Sequence, residues 1–209
     1  MPGVIVSDSA IKKRKRTQDG VTTKSAVKSK KVKAVKEDGD DAQAHILLLE
    51  TQILESQDNY GNIDSLLSLC KSKSKDHGRA VTAAIALCRV FCRLMAAEKM
   101  VKSKGMTEHG IQVVDVLKAK YKEYVRILCE YLAVEEVQST SLTLLMRLVK
   151  EETSQDDRRS DTAWRSGTFF SLVRALVSSS ETEMAREEFM EKYVEEHDDV
   201  RYFTFYAIA

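Results

Sequence analysis

The chain has 209 residues, 33 of them lysine or arginine and 32 aspartate or glutamate, with a net charge of +1. This length suits one helical domain or a short helical array rather than two large domains. No run of about 18 apolar residues occurs, and charged residues lie near the N-terminus, where a secretory signal would need an apolar core. We therefore expect an intracellular protein that neither enters a membrane nor is exported.

Charge is distributed unevenly along the chain. Residues 1–36 contain eleven lysines and arginines against two aspartates, a net charge of +9, which leaves −8 for residues 37–209 out of the total of +1. Residues 1–40 contain no aromatic residue and few side chains that could form a core. Such a segment cannot bury enough apolar surface to offset its conformational entropy, so we expect residues 1–40 to be a disordered basic tail.

Two groups of cations in this tail are candidate functional sites. Five consecutive cations in an exposed segment are typical of a nuclear-localisation signal, and the alternative is a tail that only adds solubility. The same charge density can neutralise nucleic-acid phosphates, although the tail has no aromatic side chains on which bases could stack. The candidate localisation residues are Lys12, Lys13, Arg14, Lys15 and Arg16; the candidate RNA-phosphate contacts are Lys28, Lys30, Lys31, Lys33 and Lys36.

From about residue 41 onward, apolar residues recur at helical spacing, and glycines lie between these stretches. The only proline of the chain is Pro2, so nothing interrupts the helices. We expect Asn62 to cap the second helix, Asp198 or Asp199 to cap the last, and Ser154 to Asp161 to form a polar loop. The predicted helices cover about residues 41–57, a short segment from Ile63 to Cys70, and residues 77–100, 108–134, 137–153, 167–178, 181–196 and 197–209.

This pattern predicts an all-α fold. Successive helices that are apolar on two sides favour a HEAT- or armadillo-like α-solenoid, or an irregular antiparallel helical array. No clean internal repeat of about 40 residues is visible, so the prediction concerns architecture rather than a repeat motif. We divide the chain into the tail of residues 1–40 and a helical-repeat-like domain of residues 41–209.

The last predicted helix is unusually rich in large apolar residues. These are Tyr202, Phe203, Phe205, Tyr206 and Ile208, five within seven residues, and no C-terminal cap follows them. They are too many for one buried face of a helix. We therefore expect them to form a packing or partner interface, and we expect the domain to continue beyond Ala209.

Motifs for catalysis or cofactor binding do not occur in the sequence. It lacks the phosphate-binding loops, the zinc-protease helix motif and the serine-hydrolase elbow, so we expect a protein that is not an enzyme and has no cofactor or small-molecule substrate. The nearest metal-like pattern is Cys88-x-x-x-Cys92, with Cys70 and His77 upstream. Cysteines at helical spacing are more often small buried hydrophobes, so we expect free thiols and no metal.

Two separated stretches resemble the nucleolar complex protein four family. The stretch HILLLETQILESQDNYGNIDSLL at residues 45–67 resembles the opening helix pair of that family. The stretch YVEEHDDVRYFTF at residues 193–205 resembles the family's acidic-Asp-Val-Arg-Tyr segment, which precedes its CCAAT-binding-factor region. A weaker similarity lies at residues 164–170. The two stretches are in the family's order and bracket most of the chain.

The resemblance implies a nucleolar assembly factor of the small-subunit processome that is needed for maturation of small-subunit rRNA. It also implies nucleolar protein fourteen as a partner, bound mainly through a C-terminal helical region that this sequence does not include. We therefore expect a scaffold in the nucleus and nucleolus that contacts processome proteins and, through its tail, pre-rRNA. The alternative is a HEAT-like nuclear transport or chromatin adaptor, which would share the helices and the tail without the two family-like stretches.

Overall fold

A computed structural model describes residues 39–71, 77–154 and 157–209. Within these ranges the chain forms helices joined by turns, and no β-strand is present. The predicted all-α architecture is thus confirmed. Both groups of tail cations lie outside the described residues.

The helices follow one another closely along the chain. In order they are α1 (Gly39–Glu55), α2 (Asn62–Cys70), α3 (His77–Ala96), α4 (Glu108–Tyr131), α5 (Gln138–Thr153), α6 (Asp157–Ser166), α7 (Thr168–Ser178), α8 (Glu183–Phe189) and α9 (Asp198–Ile208). Short 3₁₀ turns precede α2 and α8, at Gln57–Gly61 and Ser180–Thr182. A π-helical turn, Met190–Val194, extends α8 toward α9.

The predicted polar loop from Ser154 to Asp161 is wrong, because α6 begins at Asp157. In this helix Ala163 and Trp164 are the only apolar residues, so its sequence shows no apolar stripe at helical spacing. Tertiary contacts stabilise it instead, since α6 packs against both α5 and α7. Because tertiary packing rather than an apolar stripe stabilises α6, its sequence only weakly indicates a helix.

Both predicted helix caps differ from those observed. Gly61 occupies the N-cap position of α2, while the Asn62 side chain donates to Gln52 Oε1 at 2.9 Å. At α9 the N-cap residue is His197, and the two aspartates lie in the first turn, where they face the positive end of the helix dipole. The helices nevertheless begin within two residues of the predicted positions.

Helix α5 lies at the centre of the packing. It contacts α3, α4, α6, α7 and α8, while α1 and α2 pack against α3. Aromatic rings fill the space between α3 and α4: the Phe91 and Tyr124 rings stack with centroids 5.5 Å apart, and the Tyr124 hydroxyl donates to the Ala84 carbonyl at 2.6 Å. The largest fully buried side chains include Tyr124, Phe91, Phe169, Ile46, Ile53, Leu87, Leu117 and Leu128.

A carboxylate from α5 fixes the start of α7. Glu152 Oε1 accepts hydrogen bonds from the Tyr121 hydroxyl at 2.6 Å and the Thr168 hydroxyl at 2.7 Å, and Oε2 accepts from the Thr168 backbone N–H at 3.1 Å. Burial raises the pKa of Glu152 above its ordinary value, and the three hydrogen bonds oppose that rise. A β-carbon on Gly167 would lie 2.4 Å from the Ala163 carbonyl oxygen, so this close approach of α6 and α7 requires glycine.

Replacing Glu152 with alanine is expected to destabilise the domain by about 2 kcal/mol, because it removes the acceptor of three donors at a buried junction. Because the folded-state pKa of Glu152 is raised, the part of its stabilisation that is linked to this shift is fully present below the ordinary pKa of 4.5 and is lost as the pH rises through the folded-state pKa. The difference between wild type and Glu152→Ala should therefore shrink from acid to neutral pH. Urea unfolding at several pH values measures it.

The matched control for this prediction is Glu136→Ala, which removes an exposed carboxylate from the turn before α5. Its free energy of unfolding should stay within about 0.5 kcal/mol of wild type. If Glu152→Ala behaves like this control at every pH, Glu152 does not anchor α7.

Candidate interaction surface on the last helix

One side of α9 is buried in the domain. Val200, Thr204 and Ala207 are each less than 10% exposed, and they follow one another at the three- and four-residue spacing of a single helix face. This face packs against α7, with further contacts to α6 and to the π-helical turn. The Thr204 hydroxyl is satisfied within the helix, since it donates to the Val200 carbonyl at 2.7 Å.

Helix α6 also contacts α9, through an aromatic stack. The Trp164 ring stacks on the Phe203 ring with centroids 5.0 Å apart and an interplanar angle of 3°. Trp164 also meets the buried Phe169 of α7 edge to face at 4.8 Å. Beside it, the Arg165 guanidinium lies over the Tyr206 ring, 4.7 Å from its centroid, which orients this tyrosine without burying it.

The other side of α9 presents four large apolar residues to solvent. Tyr202 is 60% exposed, Phe205 66%, Tyr206 45% and Ile208 56%. A cavity of about 240 Å³ between α7 and α9 is lined by Ile208 and Val177, and Val177 is itself 55% exposed. We call these five residues the α9 apolar face. Contiguous exposed apolar surface of this kind marks interaction sites in soluble proteins.

The structure thus divides the five residues that the sequence singles out. Phe203 packs inside the domain against Trp164, while Tyr202, Phe205, Tyr206 and Ile208 lie on the α9 apolar face. Sequence reasoning missed the contributions of Arg165 and Val177. The apolar residues between Phe169 and Val177 could have indicated that Val177, at the end of α7, is exposed. The role of Arg165 could not be predicted in the same way, because it depends on α6.

The four cysteines are free thiols. Cys88 and Cys92 are buried on α3, and the Cys88 thiol donates to the Leu144 carbonyl at 3.9 Å. The interaction between the two thiols raises the pKa of Cys88 and lowers that of Cys92. The Cys70 thiol points to the Ala80 carbonyl at 3.8 Å. Across residues 39–71, 77–154 and 157–209, no three His, Cys, Asp or Glu side chains are grouped closely enough to hold a metal ion. No helix in the same ranges is long and apolar enough to span a membrane.

Comparison with known proteins connects this helical array to a family. The family model described as nucleolar complex protein 4-like, TPR repeats, matches residues 36–209, which is most of the chain and all of its described helices. The chain belongs to this family. The resemblance found in two short stretches of sequence is thereby confirmed over the whole helical domain, and the family's name gives the repeat type as tetratricopeptide.

One curated relative is an uncharacterized protein of Schizosaccharomyces pombe. It is 30% identical over 160 residues, which cover 74% of this chain and 32% of the relative. The matched region therefore spans about a third of the length of that relative. No solved structure matches the chain.

Proposed function

We propose that this chain is a non-catalytic nucleolar scaffold that takes part in assembly of the small ribosomal subunit and in rRNA processing. The observation that carries this proposal is the family match over residues 36–209. The α9 apolar face supports a role in protein contacts, because it displays Tyr202, Phe205 and Tyr206 on a helix fixed by Trp164. Exposed aromatic anchors on a rigid element are typical of binding hot spots.

The proposed location is the nucleus and nucleolus, and the proposed partners are processome proteins, including nucleolar protein fourteen, together with pre-rRNA. The basic tail would supply both the import signal and the phosphate contacts. We propose neither a membrane partner nor a small-molecule substrate. In this role the protein binds other assembly components through its surface and catalyses no reaction.

Depletion of the protein from cells tests this function. If it assembles the small subunit, precursors of small-subunit rRNA should accumulate while large-subunit rRNA stays normal, and affinity-tagged protein should recover those precursors with processome proteins. Re-expression of the full chain provides the control. Normal small-subunit rRNA after depletion, with recovery of transport factors or chromatin proteins instead, would favour the adaptor alternative.

The affinity of this chain for RNA should reside largely in residues 1–36 and tolerate changes of RNA sequence. Removing these residues is expected to flatten the salt dependence of binding, because log K falls with log salt by roughly 0.7 to 0.9 for each phosphate neutralised. Filter binding of single-stranded RNAs with different base compositions, across a salt series, measures the slope. An unchanged slope after truncation would place the RNA site on the helices.

A further inference from the structure

A groove runs between α4 and the junction of α6 with α7, on a surface that the proposed function does not use. It consists of two adjoining cavities of about 520 and 460 Å³, which share Lys118, Tyr121 and Gly167 in their walls. Its apolar floor is formed by the Tyr121 ring and Val125, and it extends to Met95 and Met100. Groove volumes in this range are typical of sites that accept ligands or peptide side chains.

One wall of the groove is a row of cations. Lys118, Lys122 and Arg126 follow one another at four-residue spacing on α4 and line the larger cavity. These three residues are therefore on one helix face, and their Cα atoms are about 6 Å apart along the helix axis for each step. This row borders the apolar floor along its length.

The cations of the groove differ from their neighbours in their pairing. Lys120, on another face of α4, pairs with Asp64, and Lys71 pairs with Glu123. Lys118 and Lys122 form no ion pair with any side chain in the described part of the chain, whereas Arg126 has Glu130. Among the cations of α4, Lys118 and Lys122 are thus the two without an acidic partner in the described part of the chain, and both can meet an external carboxylate.

Among the described residues that line the groove, Glu152 is the one carboxylate, and it forms no ion pair with the cations of this wall. Both oxygens of Glu152 are directed to the Tyr121 hydroxyl and to Thr168, as described above. The groove consequently combines an apolar floor with a positive rim. Complementarity of shape and charge calls for an occupant that is apolar on one side and acidic on the other.

We propose that this groove binds an acidic peptide segment of a partner protein in an extended conformation. In an extended chain, residues i and i+2 point the same way and lie about 6.7 Å apart, close to the roughly 6 Å between successive cations of α4. Acidic residues at alternate positions can therefore pair with Lys118 and Lys122, while the intervening apolar side chains enter the cavities. RNA fits less well, because the aromatic group in the groove, Tyr121, is half-buried and has its hydroxyl engaged.

Selection from a random-peptide phage library against the full chain tests this proposal. Each round includes counter-selection against the double variant Lys118→Glu, Lys122→Glu. This variant keeps the basic tail, so the counter-selection removes peptides that bind only the tail. The matched control is Lys99→Glu, Lys104→Glu, which reverses two exposed lysines outside the groove. Fluorescence anisotropy of the enriched peptides against all three proteins gives affinities, and circular dichroism verifies that each variant folds.

We expect enriched peptides with acidic residues alternating with apolar ones. Their affinity should fall at least tenfold in the groove variant and less than twofold in the control. Ser171→Phe, a neutral change at an exposed position of the groove wall, should weaken the same peptides by filling the cavity. The proposal is overturned if no acidic pattern is enriched, if the groove variant binds as wild type, or if a single-stranded oligouridylate loses more affinity than the peptides do.

Discussion

Replacing the basic pentamer, Lys12–Arg16, with five alanines is expected to move a fluorescent fusion of this chain from the nucleus to the cytoplasm. The pentamer places five positive charges next to one another in a segment without core-forming residues, so an acidic import receptor can bind it directly. Losing all five removes the charge on which that recognition depends. Quantitative imaging should show the nuclear-to-cytoplasmic ratio falling to that of a passive reporter.

The matched control replaces Lys28, Lys30, Lys31, Lys33 and Lys36 with alanine, which removes the same charge from the same tail without touching the pentamer. Nuclear accumulation of this variant should persist. Residues 1–36 fused to an unrelated large reporter test the signal apart from any partner that could carry the whole protein into the nucleus. If the reporter stays cytoplasmic, the pentamer is not an import signal.

The helices of this protein other than α6 could be predicted from the sequence, because each has its own apolar stripe. Helix α4 is the clearest case, since Val114, Leu117, Tyr124 and Leu128 follow at steps of three, seven and four residues on one helix face and are buried in the structure. Its boundaries were predicted within three residues. The spacing alone contains this information, because a helix of this length must turn one face to the core.

Helix α6 could not be predicted in the same way, and the arrangement around α9 depends on it. A ten-residue helix with a single aromatic residue has no stripe, so its existence follows from packing against α5 and α7 rather than from local pattern. The sequence predicted an apolar cluster in the last helix. It could not separate Phe203 from Phe205, because the stack that buries part of Phe203 involves Trp164, 39 residues earlier in the chain.

The groove beside α4 is a similar case. Sequence shows that Lys118 and Lys122 share a helix face, but four-residue spacing does not reveal that α6 and α7 approach this face. The pairing of Lys120 with Asp64 joins residues 56 positions apart and depends equally on tertiary structure. Which lysines remain available to a partner is therefore a property of the fold.

Self-association of the 209-residue chain is expected to depend on the α9 apolar face. Phe205 and Tyr206 are 66% and 45% exposed, and burying one such side chain is worth roughly 1.5 to 3 kcal/mol. The unaltered chain should bind an apolar dye and form oligomers that sedimentation detects. Phe205→Asp, Tyr206→Asp should weaken association by about 3 kcal/mol, roughly a hundredfold.

The choice of residues decides what this experiment can show. Phe203→Asp would remove the ring that stacks on Trp164 and so would damage the domain, whereas the side chains of Phe205 and Tyr206 lie on the solvent side of α9. Leu47→Asp, Leu48→Asp is the matched control, because these adjacent residues of α1 are also about half exposed. Two results would show that the α9 apolar face is not an interface. One is an unaltered chain that sediments as a monomer and binds no dye. The other is a control variant that disrupts association as much as Phe205→Asp, Tyr206→Asp does, because the effect would then not be specific to α9.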